Sequence, residues 1–196
     1  MNNYVNIEND IKKYFNFTGE LKFHWHRFEN LKNLKYDVYQ TEQLNLDHKF
    51  KDDSYRKLLE NAENVWEYST LNMRYIHGSV FKPYLPELSS SHSSYPKDID
   101  ILFYGFLSDR RKTLINELKK KYKIEIHSFL PESELIEKTN RSKWVLSYGT
   151  YNNDYNDSIR ITRALNLGAN ILMENCEECW YEDYLKKHFK GRISFL

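Results

Sequence analysis

A chain of 196 residues with 29 Lys+Arg against 28 Asp+Glu carries a net charge of +1, which disfavours a general nucleic-acid binder, because such proteins meet phosphate with a clear basic excess. Hydrophobic residues at 40% and aromatics at 16% suffice for a core and argue against long disordered stretches. Two Cys cannot build a disulfide framework, Met1 to Asp10 has no apolar leader core, and no apolar run approaches the roughly 20 residues that span a bilayer, so a cytoplasmic protein is expected.

In chain order, the first half reads as a loose alternation of strands and helices. Phe23 to His26, Tyr36 to Thr41, Val65 to Tyr68 and Val80 to Tyr84 are strand candidates. Arg27 to Leu34, Ser54 to Ala62 and Thr70 to Ile76 are the helices between them. Pro86 to Lys97 is Ser-rich with Pro near both ends, and it reads as a linker. Domain bounds of 1–85 and 98–196 follow.

The second half has a firmer rhythm. Ile99 to Tyr104 is a short apolar run ending at Gly105, a buried strand. Ser108 caps a helix running to Tyr122, with Leu114, Ile115, Leu118 and Tyr122 on its apolar face. Ile124 to Phe129 is a second strand. Pro131 opens a helix to about Asn140, and Trp144 to Tyr148 is a third strand. Asp157 or Ser158 caps a helix that Gly168 ends. Ile171 to Met173, a helix from Trp180 to Phe189, and a strand from Ile193 follow. Strands alternating with helices at this spacing predict an α/β protein with a parallel sheet and helices on both faces. The whole reads as two Rossmann-like lobes, the first one reduced, with a cleft between them. Ligands of open α/β sheets bind beyond the carboxyl ends of the strands.

Two loops at those ends carry candidate chemistry. Gly105 to Arg111 joins a strand to a helix. Gly105 permits a sharp turn and close approach of a ligand, and free amides at the helix start attract anions. Arg110 and Arg111 oppose the helix dipole there, and a bound diphosphate would explain them, because Arg pairs bidentately with phosphate oxygens. Two solvated arginines would explain them equally well. The sequence has neither a G-x-G-x-x-G fingerprint nor a G-x-x-x-x-G-K-[ST] loop. Tyr148 to Asp157 is long for a strand-to-helix connection and rich in Tyr and Asn. It could stack a base or hold a sugar, or it could be a solvated loop. Arg160 is another cation in a first helical turn.

Other candidates are weaker. Cys176-Glu177-Glu178-Cys179 has metal-like spacing but no second pair. Asp98-Ile99-Asp100 precedes a strand, the wrong end for a metal–sugar site. His24 and His26 flank Trp25 on the expected first strand and are candidate bases. Glu42 follows the Tyr36–Thr41 strand and is a candidate for an acceptor role.

The segments KDIDILFYGFLSDRRKTLINEL, ELIEKTNRSKWVLSYGTY and DSIRITRALNLGANILMEN, in that order, resemble the C-terminal lobe of GT-B glycosyltransferases. Upstream, VYQTEQL, NVWEYSTLN and FKPYLPEL resemble segments of the same family. The similarity runs from about Tyr36 to Asn175. It implies transfer of a sugar from a nucleotide diphosphate sugar to a glycan or protein acceptor. It implies neither a metal nor another cofactor, no nucleic-acid partner and no membrane span. By motif position, Gly105, Ser108, Arg110 and Arg111 would face the diphosphate, and Tyr148, Asp157, Arg160 and Glu174 the sugar and ribose. Two positions depart from the family: Asp157 replaces its Glu, and Arg163 stands where many members carry a ribose-binding Glu. Three readings therefore stay open: an active glycosyltransferase, a degenerate member that binds nucleotide or glycan without turnover, and an unrelated α/β interaction module.

Overall fold

The structure is a computed structural model describing residues 3–23, 26, 30–31, 33–41, 53–88, 95–150, 155, 157–176 and 179–196. It is an α/β protein with two sheets, one of four strands and one of five, both entirely parallel. The chain divides into two compact units, residues 3–84 and residues 85–196.

The first unit begins with a helix the sequence reading did not contain, α1 (Asn3–Tyr14). Its polar composition hides it, although Ile11 is fully buried. Then come β1 (Leu21–Lys22), β2 (Asp37–Gln40), α2 (Asp53–Glu60), β3 (Val65–Glu67), a 3₁₀ turn over Asn72–Arg74, and β4 (Val80–Phe81). The strands lie in the order β1-β2-β3-β4. Val38 pairs with Val65 and Gln40 with Glu67. Strand residues alternate between faces, so Val38 and Val65 point one way, where they pack with Tyr55, Leu58 and Leu59 of α2. Tyr39 and Trp66 point the other way. There Phe15 lies 5.7 Å from the Tyr39 ring and 5.4 Å from the Trp66 ring, and Lys82 lies 4.7 Å over Trp66.

Two expectations fail in this unit. The strand expected over Phe23 to His26 is instead Leu21–Lys22. His26 folds back, so that the Phe23 amide donates to its Nδ1 at 3.0 Å. The helix expected over Thr70 to Ile76 is the single turn Asn72–Arg74. Much of the segment expected to be helical over Arg27 to Leu34 lies outside the described residues.

The second unit contains β5 (Ile99–Tyr104), α3 (Asp109–Leu118), β6 (Ile124–His127), α4 (Glu132–Arg141), β7 (Ser142–Ser147), α5 (Ser158–Asn166), β8 (Asn170–Met173), α6 (Cys179–His188) and β9 (Ile193–Phe195). Every element read from this half is present. The strand order is β6-β5-β7-β8-β9. Ile101 and Phe103 of β5 pack with Ile115 of α3 and Leu146 of β7. Leu102 faces the other way, into a core with Val145, Ile161, Leu165, Ile171, Tyr181 and Leu185 from α5, α6 and their strands. The sheet is thus covered by helices on both sides, as the run Ile101 to Phe103, buried on both faces of β5, requires.

The expected linker does not begin at Pro86. Leu85 packs on the core of the second unit, and the Glu87 amide donates to Asn166 Oδ1 at 2.8 Å. At the other end, Lys97 Nζ donates to the Asn140 carbonyl at 2.7 Å and the Gly168 carbonyl at 3.3 Å. The Ser-rich middle, 89–94, lies outside the described residues. Among the described residues no helix is long and apolar enough to cross a membrane.

Candidate functional site

The chain leaves β5 for β6 on one flank and then returns to β7 on the other flank of β5. Strand order reverses between β5 and β7, and such a reversal opens a crevice at the carboxyl ends of the strands. Tyr104 pairs with His127, Leu102 with Val145 and Ser147 with Met173. Gly105, Tyr148 and Glu174 therefore all step off the sheet at this same rim.

Gly105 is a glycine for two reasons. Its φ is +122°, a region that side chains rarely adopt. A Cβ there would also lie 3.2 Å from a terminal nitrogen of Arg160. The next turn starts α3, where Ser108 accepts from the Arg111 amide at 3.3 Å as an N-cap.

Arg110 reaches across the rim. Its Nη1 donates to Glu174 Oε1 and to the Gly149 carbonyl, both at 3.0 Å, and its Nη2 donates to Glu174 Oε2. The guanidinium stacks 3.9 Å from the Tyr148 ring centre. Glu174 also accepts the Gly149 amide, and its carboxylate raises Arg110 above the usual arginine value. A carboxylate held by a bidentate arginine and a backbone amide has the contacts of a bound anion.

Arg111 behaves differently. The sequence suggested an exposed rim residue, but it is 6% exposed. Its Nε donates to the Tyr148 carbonyl at 2.8 Å and its Nη1 to the Phe106 carbonyl at 2.9 Å, which ties the two rim loops together. Burial, with the nearby Arg160 charge second, lowers it to about 10. The helical position of Arg111 turns its side chain inward over Phe103, 5.3 Å away.

Arg160 comes from the start of α5. Its amide donates to Asp157 Oδ1 at 3.1 Å, its Nε pairs with Asp157 Oδ2 at 3.0 Å, and its Nη1 donates to the Leu146 carbonyl at 3.4 Å. The guanidinium lies 4.9 Å over Tyr104, whose hydroxyl burial holds above the usual tyrosine value. Arg163, one turn on, pairs with Glu132 at the start of α4. Sequence reading missed Glu132, because the pair joins residues on different helices and no local pattern announces it.

The structure thus brings Gly105, Ser108, Arg110, Arg111, Tyr148, Asp157, Arg160 and Glu174 to one crevice. Of the acceptor-side candidates, only His26 lies among the described residues. His24 and Glu42 lie outside the described residues, as does most of the loop 151–156. His26 holds the Phe23 amide and lies 3.6 Å from Glu8; burial lowers it below the usual imidazole value. Asp98 and Asp100 sit at the opposite, amino end of β5, paired with Arg141 and Lys143. Arg141 holds Asp98 down to about 2. Cys176 is half-buried, and its amide donates to Glu182. Among the described residues no group of three or more His, Cys, Asp or Glu is placed to hold a metal ion.

Comparison with known proteins adds no relative: no protein-family model matches this chain, and no curated protein matches it.

Proposed function

We propose that this chain is a GT-B-like glycosyltransferase that binds a nucleotide diphosphate sugar in the crevice between β5 and β7. The observation that carries the reading is the convergence of Arg110, Arg111 and Arg160 from two helix starts on the point where strand order reverses. Arg110 and the first amides of α3 take the diphosphate and stabilise its charge as it leaves. Arg111 holds the Gly105 and Tyr148 loops in register and adds a buried positive charge. Glu174 occupies the same donors in the free protein, so a diphosphate displaces it from Arg110 and the Gly149 amide. The freed carboxylate is then available to a sugar or ribose hydroxyl. No metal takes part in this reading.

Binding without turnover is the second reading, and Arg163 favours it. A carboxylate accepts two ribose hydroxyls and an arginine cannot. Titration calorimetry with nucleoside diphosphates, with and without chelator, tests the shared premise. A ligand at about 100 times its Kd adds roughly 2.7 kcal/mol of stability, so a thermal-shift panel gives the same answer. Binding that survives chelator is expected, and no stabilisation by any nucleoside diphosphate would leave the interaction-module reading. Hydrolysis of the donor then separates turnover from binding.

A further inference from the structure

Glu67 ends β3 on the face covered by α2, and it is 0% exposed. Its Oε1 accepts the Ser69 amide at 3.2 Å and Asn72 Nδ2 at 3.1 Å. Its Oε2 accepts Gln40 Nε2 at 3.2 Å from the neighbouring strand. Gln40 is itself fully buried and accepts Tyr55 Oη at 2.9 Å from α2. Among the described residues, the groups facing the carboxyl are Gln40 from β2, Asn72 and the backbone of Tyr68 and Ser69 from the following segment, and Tyr55 from α2 one bond further on. All of these are neutral near pH 7, Tyr55 being the only titratable one. Lys82, just past the adjoining strand β4, bonds Glu67 through the backbone alone, its amide donating to the Glu67 carbonyl. Its ammonium lies over Trp66, on the other face of β3.

We propose that Glu67 is a proton-operated switch whose two charge states select the direction of the hydrogen bonds joining it to Gln40 and Tyr55, a change that the segment from Ser69 to Asn72 senses through its own bonds to the same carboxyl. As a carboxylate, Glu67 accepts from Ser69, Asn72 and Gln40 and holds Ser69 and Asn72 in place, but its charge is buried with no counter-ion among the described residues. As an acid it must also donate, and the turnable acceptor beside it among the described residues is Gln40. Turning the Gln40 amide over presents Oε1 to Glu67 and Nε2 to Tyr55, whose hydroxyl accepts as readily as it donates. By that turn of the Gln40 amide, the bonds joining Tyr55, Gln40 and Glu67 can run in either direction. Burial raises Glu67 to about 8, against the pull of its Asn72, Ser69, Gln40 and Tyr68 donors, which sets the exchange close to neutral pH. The affected segment leaves the carboxyl end of β3, the end from which parallel sheets present ligand loops.

The test uses the full chain with ¹³C-labelled glutamate and ¹⁵N-labelled backbone. Expected are a Glu67 carboxyl resonance that titrates with a midpoint above pH 7 and a Ser69 amide resonance that shifts with the same midpoint. Glu67→Gln, neutral at every pH, should abolish the Ser69 titration. A Glu67 midpoint in the ordinary carboxylate range would overturn the proposal. So would a Ser69 amide that ignores pH, or one that still titrates in Glu67→Gln. The wild-type titration decides alone if the variant does not fold.

Discussion

Arg110 and Arg111 are neighbours in sequence with opposite duties. Arg110 is partly open to solvent and bonds the Glu174 carboxylate, which a diphosphate would replace in the proposed reading. Arg111 is buried and bonds the Tyr148 and Phe106 carbonyls, one from each rim loop. Arg110→Ala should leave urea stability nearly unchanged and weaken nucleoside-diphosphate binding by about 1.5–3 kcal/mol, the range for charged hydrogen bonds. Arg111→Ala should instead cost about 1–3 kcal/mol of stability, because the Tyr148 and Phe106 carbonyls lose their donors inside the protein. Arg111→Lys should recover little of it, since one ammonium cannot span both carbonyls as the guanidinium fork does. Equal urea midpoints for the two alanine variants would refute the division of labour. Glu67 sets a prediction in pH. A carboxyl raised in the folded state binds its proton more tightly there than in the unfolded chain. Its contribution is full below the ordinary value of 4.5 and is lost as pH rises through about 8. Wild-type stability should fall across that window relative to Glu67→Gln, and parallel profiles would refute this.

At the scale of elements, the three cations at helix starts cease to be an anomaly. Each turns sideways, to loop carbonyls or a carboxylate, rather than against the exposed amides of its own helix. Asp157 serves α5 twice, capping the Arg160 amide and pairing with its side chain. Asp157→Ala should therefore cost about 1–2 kcal/mol, the upper part of the range for a lost N-cap, while Asp157→Asn, which keeps the cap oxygen, should cost less; denaturant midpoints separate the two. The elements of the second unit were legible because β5, β7 and β8 are covered on both faces and read as apolar runs closed by turn signals. In the first unit β1 and β4 have two residues each, too short to show a period. Thr70 to Ile76 looks helical, but Glu67 takes the Ser69 amide and the Asn72 side chain, and only one tight turn forms. Glu67 itself was illegible. In Val-Trp-Glu-Tyr a carboxylate reads as a solvent-facing position, and the donors that make its burial tolerable, Asn72, Ser69 and Gln40 of the next strand, follow no local pattern. At the crevice, Gly105 and the arginines stood out in sequence. The inward turn of Arg111 and the Glu174 pairing did not, because both depend on which strands become neighbours.

On the scale of the molecule, the unit boundary falls before Leu85 rather than after the Ser-rich stretch. A fragment of residues 85–196 should be more stable to denaturant than one of residues 98–196, by about 1–3 kcal/mol. The shorter piece gives up a packed leucine and the Lys97 bonds that close the ends of α4 and α5. Identical midpoints would restore the boundary to the end of the linker. The placement of β5 has a further consequence, in the time domain. It lies at the order reversal, paired with β6 on one flank and β7 on the other. Its Leu102 and Phe103 are fully buried on opposite faces, and the Ile101 and Gly105 amides are bonded to the β6 side. Freeing the edge strand β6 breaks those bonds but leaves β5 paired with β7, so the β5 amides that face β7 reach solvent only when the unit itself comes apart. In deuterated buffer the β5 amides that face β7 should outlast those of β6 and β9, and their exchange should report the global stability of the unit. Because Gly105 is anchored to this strand and shares the crevice with Arg160, the floor of the site belongs to the last part of the unit to open.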